Sequence, residues 1–404
     1  MKILWHSNGP LSGTGYGQQS ATFCKLLKEA GHDVAISAFY GGIPGAIYRW
    51  HDIPVYPGGL HQYGNDVILR HAAHHFGGDL QDGLIVTLVD VWVLDGASHT
   101  RARVANWTPV DHKPMPAHCR AYFDQSGSVP IAMSRFGEAE LRAEGFDPLY
   151  VPHGVDTDVF HPRDRGESRK AVGLPEDIFL VGMVAANKGY PPRKGWPQAL
   201  QAFACFSKAH PDARLFMHTE PAGLIQGVNL PHLVEMTGIP PERVMFSDQY
   251  QWFIGYPQEH VATLMSTFDV LLNPAYGEGF GIPIVEAQAC GVPVVVTDST
   301  AMPELLGAGW KVGGTPWYSE QGSWIVIPDV DEIVVALESA YTDAAGLRDQ
   351  AREFALQYDA KRVLTEHMIP ALEKAWERTD PPPALPDVVR MPAALPPLPA
   401  AVAA

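Results

Sequence analysis

The sequence predicts a two-domain α/β protein, each domain a parallel β-sheet with helices on both faces, the two facing a central cleft. Three observations predict this. The chain has 404 residues, more than one ordinary domain needs. Short apolar strands alternate with helix-length segments along most of it. Around His161–Gly166 the alternation breaks into a polar connector and then starts afresh. A hydrophobic share of 46% with 18% charged residues suits a packed chain, and 38 Gly with 36 Pro supply the tight turns between short elements.

The first domain reads in order. Lys2 to His6 is an apolar strand, and Gln18 to Ala30 places Phe23, Leu26, Leu27 and Ala30 at helical spacing before Gly31 stops it. A strand resumes at Val34 to Ala38, completing a βαβ unit. Further strands fit Leu84 to Val89, Arg103 to Val110 and Val129 to Ser134, followed by a helix from Arg135 to Glu144 and the strand 149–151. Tyr40 to Gly83, rich in Gly, His and Tyr, resists ordering.

The second domain opens with a strand at Ile178 to Ala185 and a helix from Trp196 to His210. Strands follow at Ala213 to His218, Arg243 to Phe246 and Val270 to Asn273, then a helix over Ile282 to Cys290 and a strand at Pro293 to Thr297. Helices dominate from Asp331 to Arg378. The expected division is 1–165, 166–355, a helix at 356–378 and a disordered Pro/Ala-rich tail at 379–404.

Charge and targeting bound the function. Twenty-nine Lys and Arg against 45 Asp and Glu give a net charge of −16, with no basic run to grip a nucleic-acid backbone. No stretch reaches about 18 apolar residues, and the N-terminus has no signal-like apolar region, so a cytoplasmic protein without a transmembrane segment is expected. Cys24, Cys119, Cys205 and Cys290 are scattered, which reads as reduced, buried thiols. Asp329-Val330-Asp331 has the spacing of a metal-binding DxD but precedes a helix, where Asp331 fits an N-cap; no metal site is expected.

The most informative segment is Pro274-Ala275-Tyr276-Gly277-Glu278-Gly279-Phe280-Gly281-Ile282-Pro283, continuing through Glu286 to Pro293. It follows a strand, so its glycine loop lies at the C-terminal edge of a parallel sheet, where open α/β folds place ligands. Pro283 fixes a helix start whose unpaired N–H groups suit a diphosphate. Glu278 lies in the loop and Glu286 one to two turns into the helix, where its carboxylate can accept from a ribose diol. Near the N-terminus, Ser12-Gly13-Thr14-Gly15-Tyr16-Gly17 follows the first strand and opens a helix. On its residues alone it reads either as a tight turn or as a loop presenting N–H groups to phosphate.

The 274–293 segment resembles the signature of the retaining GT-B fold glycosyltransferases called glycosyl transferase group 1, which carry two Glu separated by seven residues. The segment 151–162 is similar to that family's inter-domain segment, and Arg193-Lys194-Gly195 to its diphosphate-binding loop. The resemblance spans residues 1 to 378 and is looser in the first half. It implies GT-B architecture with C-terminal helices crossing back to the first domain. It also implies a nucleotide-sugar donor as co-substrate, no other cofactor, and a hydroxyl acceptor that the sequence does not identify.

Residue by residue, it implies catalytic parts for Glu278, His112, Lys194 and Asp111. The donor side would be Gly13, Thr14, Gly15, Lys188, Arg193, Lys194, Gly279, Phe280, Gly281, Ile282 and Glu286, with Lys188 standing where the family has an arginine. Tyr16 and Asp90 would face the acceptor. An epimerase or phosphorylase on the same fold, and a non-catalytic carbohydrate-binding protein, are the alternatives. Nucleic acid enters only as a modified-base acceptor.

Overall fold

A computed structural model describes residues 1–379. The described residues form two compact units: Met1–Val110, Met115–Gly154 and 360–379 make the first, and Asp111–Pro114 with Val155–Asp359 make the second.

The first unit is built on eight strands: β1 (Lys2–Asn8), β2 (Asp33–Tyr40), β3 (Tyr48–Trp50), β4 (Ile53–Tyr56), β5 (Gly83–Leu88), β6 (Arg103–Thr108), β7 (Val129–Ala132) and β8 (Leu149–Tyr150). Their order across the sheet is β3-β4-β2-β1-β5-β6-β7-β8. Every pairing is parallel except β3 with β4, which the positive-φ residues His51 and Asp52 join as a tight hairpin. β1 and β5 are buried almost end to end, as strands covered on both faces must be. Because β2 leaves β1 on one side and β5 joins it on the other, the sheet reverses direction between β1 and β5.

The helix Gly15–Glu29 follows β1, capped by Thr14, whose side chain accepts from the Gly17 N–H at 3.1 Å. Within the stretch that resisted ordering lies the helix Ile68–Phe76, which buries Ile68, Ala72, Ala73 and Phe76. Its period was masked because polar rings share the inner face. The His71 ring meets Ser37 Oγ at 2.9 Å, and His74 meets the Tyr56 hydroxyl at 2.6 Å. The final helix, Ile369–Arg378, packs on β6 and β7. Arg103 donates to Trp376 O at 3.1 Å and stacks on that ring, while Arg378 pairs with Asp147 at 3.0 Å. The C-terminal helix therefore returns to the first unit, as expected.

The second unit has six parallel strands: β9 (Phe179–Val184), β10 (Ala213–His218), β11 (Val244–Phe246), β12 (Val270–Asn273), β13 (Val294–Thr297) and β14 (Gly309–Val312). Their order is β11-β10-β9-β12-β13-β14, so the reversal falls between β9 and β12. An antiparallel hairpin of β15 (Gly314–Tyr318) and β16 (Trp324–Pro328) follows. The core is apolar, with Val181, Leu200, Phe203, Leu215, Leu272 and Leu337 among its fully enclosed side chains.

Several expectations shift. The first boundary lies at Gly154/Val155 rather than after 165, and the second at Asp359/Ala360 rather than after 355. Gln19 clamps Gly154 into the first unit by its amide, donating to O at 2.8 Å and accepting from N at 3.1 Å. One residue on, Val155 N donates to Tyr358 O at 2.9 Å and Thr157 to Asp359 at 2.6 Å. The polar break at 161–166 is a helix start inside the second unit, with Asp164 capping Arg165–Ala171. Asp329, not Asp331, caps Val330–Asp343, accepting from the N–H groups of Asp331 and Glu332. Cys205 is exposed, unlike the other three thiols. The tail from 380 onward lies outside the described residues.

Candidate functional site

The reversal between β9 and β12 makes a crevice at the C-terminal ends of those strands, because the loops that leave them travel in opposite directions. The loop after β9 carries Arg193 and Lys194, and the loop after β12 carries Gly277 to Gly281. Gly195 brings the two together. It holds φ +72°, and a Cβ there would lie 2.0 Å from Pro274 O. The close approach lets Tyr276 N donate to Arg193 O at 2.7 Å, while the Tyr276 hydroxyl reaches Gln198 at 2.9 Å.

On this frame Lys194 Nζ donates to Glu278 Oε1, and the Arg193 guanidinium lies 3.5 Å from Glu278 Oε2 while donating to Gly277 O at 3.0 Å. Glu278 is 8% exposed. Burial pulls its carboxyl upward, but the charges of Lys194 and Arg193 outweigh that and hold it below the usual range, so it stays ionised. Burial and the Arg193 charge lower the Lys194 ammonium, with Glu278 and Asp111 opposing. The Glu278 main chain is fixed by the loop after β13, as its N–H donates to Thr300 Oγ1 at 2.8 Å and its O accepts from Ala301 N at 3.3 Å.

Asp111 and His112 belong to this same unit although they follow β6 of the first. Lys113 and Trp324 exchange main-chain hydrogen bonds of 2.9 and 3.0 Å, and Ser323 donates to Pro114 O, so the hairpin holds the segment. A Cβ at Gly277 would lie 2.4 Å from Asp111 O, so a glycine lets the two chains touch. Asp111 Oδ1 is 2.7 Å from His112 Nδ1. Burial pushes the Asp111 carboxyl up, yet the His112 hydrogen bond and the charges of Arg193 and Lys194 bring it below the usual value.

The helix Ile282–Ala289 leaves the same loop from Gly281 at φ +111°, with Pro283 in its first turn. Its first N–H groups therefore point back toward Gly279 and Phe280. Phe280 is buried against the Tyr358 ring, 5.7 Å between centroids. Glu286 is 4% exposed, and burial raises its carboxyl to about 8.

Of the three predicted cations, Arg193 and Lys194 are the two that reach Glu278. Lys188 is exposed, and its main chain pairs with Ile225. In the first unit, Gly13, Thr14, Gly15 and Tyr16 lie at the end of β1 and Asp90 at the end of β5, on either side of that sheet's own reversal. The Tyr16 hydroxyl is 3.5 Å from Asp90, and Thr14 accepts from Asn8 at 2.7 Å. Sequence reading missed Thr300 and the Lys113–Trp324 bridge. Thr300 carried one usable signal, its place at the C-terminal end of the strand beside β12.

Residues 164–358 match the family described as glycosyl transferases group 1. A D-inositol 3-phosphate glycosyltransferase of Mycobacterium tuberculosis (strain H37Rv) is 37% identical over 176 residues, covering 42% of this chain and 33% of that protein. The Mycobacterium bovis protein of the same description matches equally. The chain thus spans about a third of the length of these curated relatives. Among solved structures, the sucrose-phosphate synthase of Thermosynechococcus elongatus superposes with a TM-score of 0.72 at 17% identity, over 94% of this chain and 100% of that one. Anabaena HepE in complex with UDP and glucose gives 0.67 at 18% identity, over 92% and 99%. These likenesses establish the fold, two Rossmann-like units of GT-B type.

Proposed function

We propose, from the match of residues 164–358 to the group 1 glycosyl transferases, that the protein is a retaining, metal-independent glycosyltransferase. It moves a hexose-type sugar from a nucleotide-diphosphate sugar to a hydroxyl acceptor. The observation that carries the proposal is the cluster of Arg193, Lys194 and Glu278 at the reversal of the second sheet, next to the helix start at Ile282. A departing diphosphate needs fixed positive charge in a water-poor setting, and two cations with a helix N-terminus supply it without reorganisation. UDP and glucose bound to Anabaena HepE support the donor class.

Glu278 neutralises Lys194 in the free protein and turns to the sugar hydroxyls when the diphosphate takes over the cations. Glu286 accepts from the ribose diol. The acceptor oxygen attacks the anomeric carbon from the face the leaving phosphate departs, so the C–O bond to phosphate breaks as the new one forms. The leaving phosphate oxygen takes the acceptor proton, and no covalent enzyme intermediate is required. Asp111 holds His112 by its Nδ1, leaving Nε2 toward the donor sugar.

A thermal-shift panel of UDP-, GDP-, ADP- and TDP-sugars tests the first half of the proposal, since a donor that binds the native state must raise its melting temperature. Release of nucleoside diphosphate that depends on added acceptor, survives a chelator and yields product of unchanged anomeric configuration tests the second. No shift across the panel, or an inverted anomer by NMR, overturns it.

A further inference from the structure

Four non-glycine residues among those described hold positive φ, and Thr300, at +50°, is the β-branched one. A β-branched residue is strained in the left-handed region and persists there only where its surroundings dictate it. The surroundings here are the loop that bears Glu278. Thr300 Oγ1 accepts from Glu278 N at 2.8 Å, and the next residue, Ala301, donates its N–H to Glu278 O at 3.3 Å. The Thr300 methyl closes the space over Gly277, where an added Cβ would come within 3.4 Å of it. Ser299 Oγ donates to Tyr276 O at 3.2 Å from the preceding position. Three consecutive residues thus grip Tyr276 to Glu278.

We propose that Thr300 is a positioning residue: its unfavourable backbone conformation and its hydroxyl together fix the Glu278 main chain, so that the carboxylate swings between the cations of the free site and the donor sugar from a fixed point. The inference rests on the reading of Glu278 as the residue that holds the donor sugar. A misplacement of about 1 Å in such a group costs on the order of a hundredfold in rate.

Three variants separate the two components. Thr300→Ser keeps the acceptor oxygen, Thr300→Gly relieves the strained φ but removes it, and Thr300→Val keeps the shape without it. Each is assayed by release of nucleoside diphosphate from the sugar nucleotide that gives the largest thermal shift, in the presence of a hydroxyl acceptor on which wild-type release depends, beside Glu278→Gln. The expected result is turnover within about threefold of wild type for Thr300→Ser. Thr300→Gly should lose about tenfold or more in kcat with donor KM within about threefold, while still unfolding cooperatively above the assay temperature. The Thr300→Gly pattern keeps the test independent of folding should Thr300→Val be unstable.

Wild-type kcat in Thr300→Gly overturns the positioning role, as does a Thr300→Ser as impaired as Thr300→Gly. If Glu278→Gln is inactive while Thr300→Gly is not, the positioning role alone falls. If Glu278→Gln turns over like wild type, or wild type turns over no donor, the site reading falls and takes the inference with it.

Discussion

Glu286 offers the sharpest quantitative test of the donor site. Its carboxyl is 4% exposed, and burial raises it from 4.5 to about 8, so the free protein holds it mostly as the neutral acid at pH 7. A rise of that size corresponds to on the order of 5 kcal/mol against ionisation. The sign for stability follows from proton binding. The unfolded carboxyl titrates near 4.5 and the folded one near 8, so the contribution is complete below the lower value, declines as pH rises and levels off above the higher. Glu286→Gln removes this dependence and should make the ligand-free protein more resistant to urea at pH 8.5 than wild type.

On the proposed diol assignment, ligand binding reverses the preference. Ribose hydroxyls that donate to Glu286 favour the ionised form, so binding must expel a proton. Affinity for UDP should then rise between pH 6.5 and 8 toward about tenfold per pH unit and flatten above. Isothermal titration of UDP into the protein at pH 7, in HEPES and in Tris, reads the proton directly, because the two buffers absorb it with different heats. Close to one proton should be released by wild type and none by Glu286→Gln. Binding heats that do not depend on buffer, together with a flat affinity across this range, would refute the diol assignment.

Lys194→Ala leaves the Glu278 carboxylate buried beside Arg193 alone and removes one of two charges from the leaving group; kcat should fall by about a hundredfold or more, measured as nucleoside diphosphate release. Gly195→Ala puts a Cβ 2.0 Å from Pro274 O at φ +72°, so it should cost more than about 2 kcal/mol in urea unfolding and weaken donor binding with it. Burial lowers His6 and His153 to about 3 and His71 and His99 to about 4, so each is neutral when folded. Their contribution is present above pH 6.5 and lost as pH falls. Stability by urea titration should therefore drop by more than about 1.4 kcal/mol per pH unit between pH 6 and 5, and a flat profile would contradict the burial.

What could be read from sequence was local. Val270 to Val285 announces itself because an apolar strand, a glycine loop and a proline-started helix occupy one short stretch, each forced by its own residues. The pairing of Lys194 with Glu278 joins residues 84 positions apart, and its signal was a resemblance rather than a pattern. The Asp111–Pro114 segment was legible as a strand end but not as a part of the second unit, since main-chain bonds from Lys113 to Trp324 carry that association and no side chain advertises them. Tyr40 to Gly83 failed for a different reason: His71 and His74 face inward onto polar partners, and a hydrophobic period cannot register a histidine that is buried by hydrogen bonding. The hairpin of β15 and β16 was invisible because much of β15 is exposed and its Gly and Pro read as turn residues.

The charge arrangement explains why Lys194 rather than Lys188 is the lysine paired with Glu278. A buried carboxylate such as Glu278 must be paired, and the pair must lie where main-chain geometry is fixed, because a flexible lysine would lose more in ordering than it gains. The loop 193–195 meets that condition, bound to the next loop through Tyr276 N and unable to retreat past Gly195. Lys188, exposed beside Ile225, does not. With Arg193 and Lys194 set against Glu278 and Asp111, the free site is close to charge-balanced. If this is the donor site, as proposed, an arriving diphosphate must displace a carboxylate from its cations, not simply fill an empty positive pocket. On the proposed reading a nucleotide sugar can do this because its sugar hydroxyls give Glu278 new partners in the same step. A bare anion of equal charge brings no such replacement.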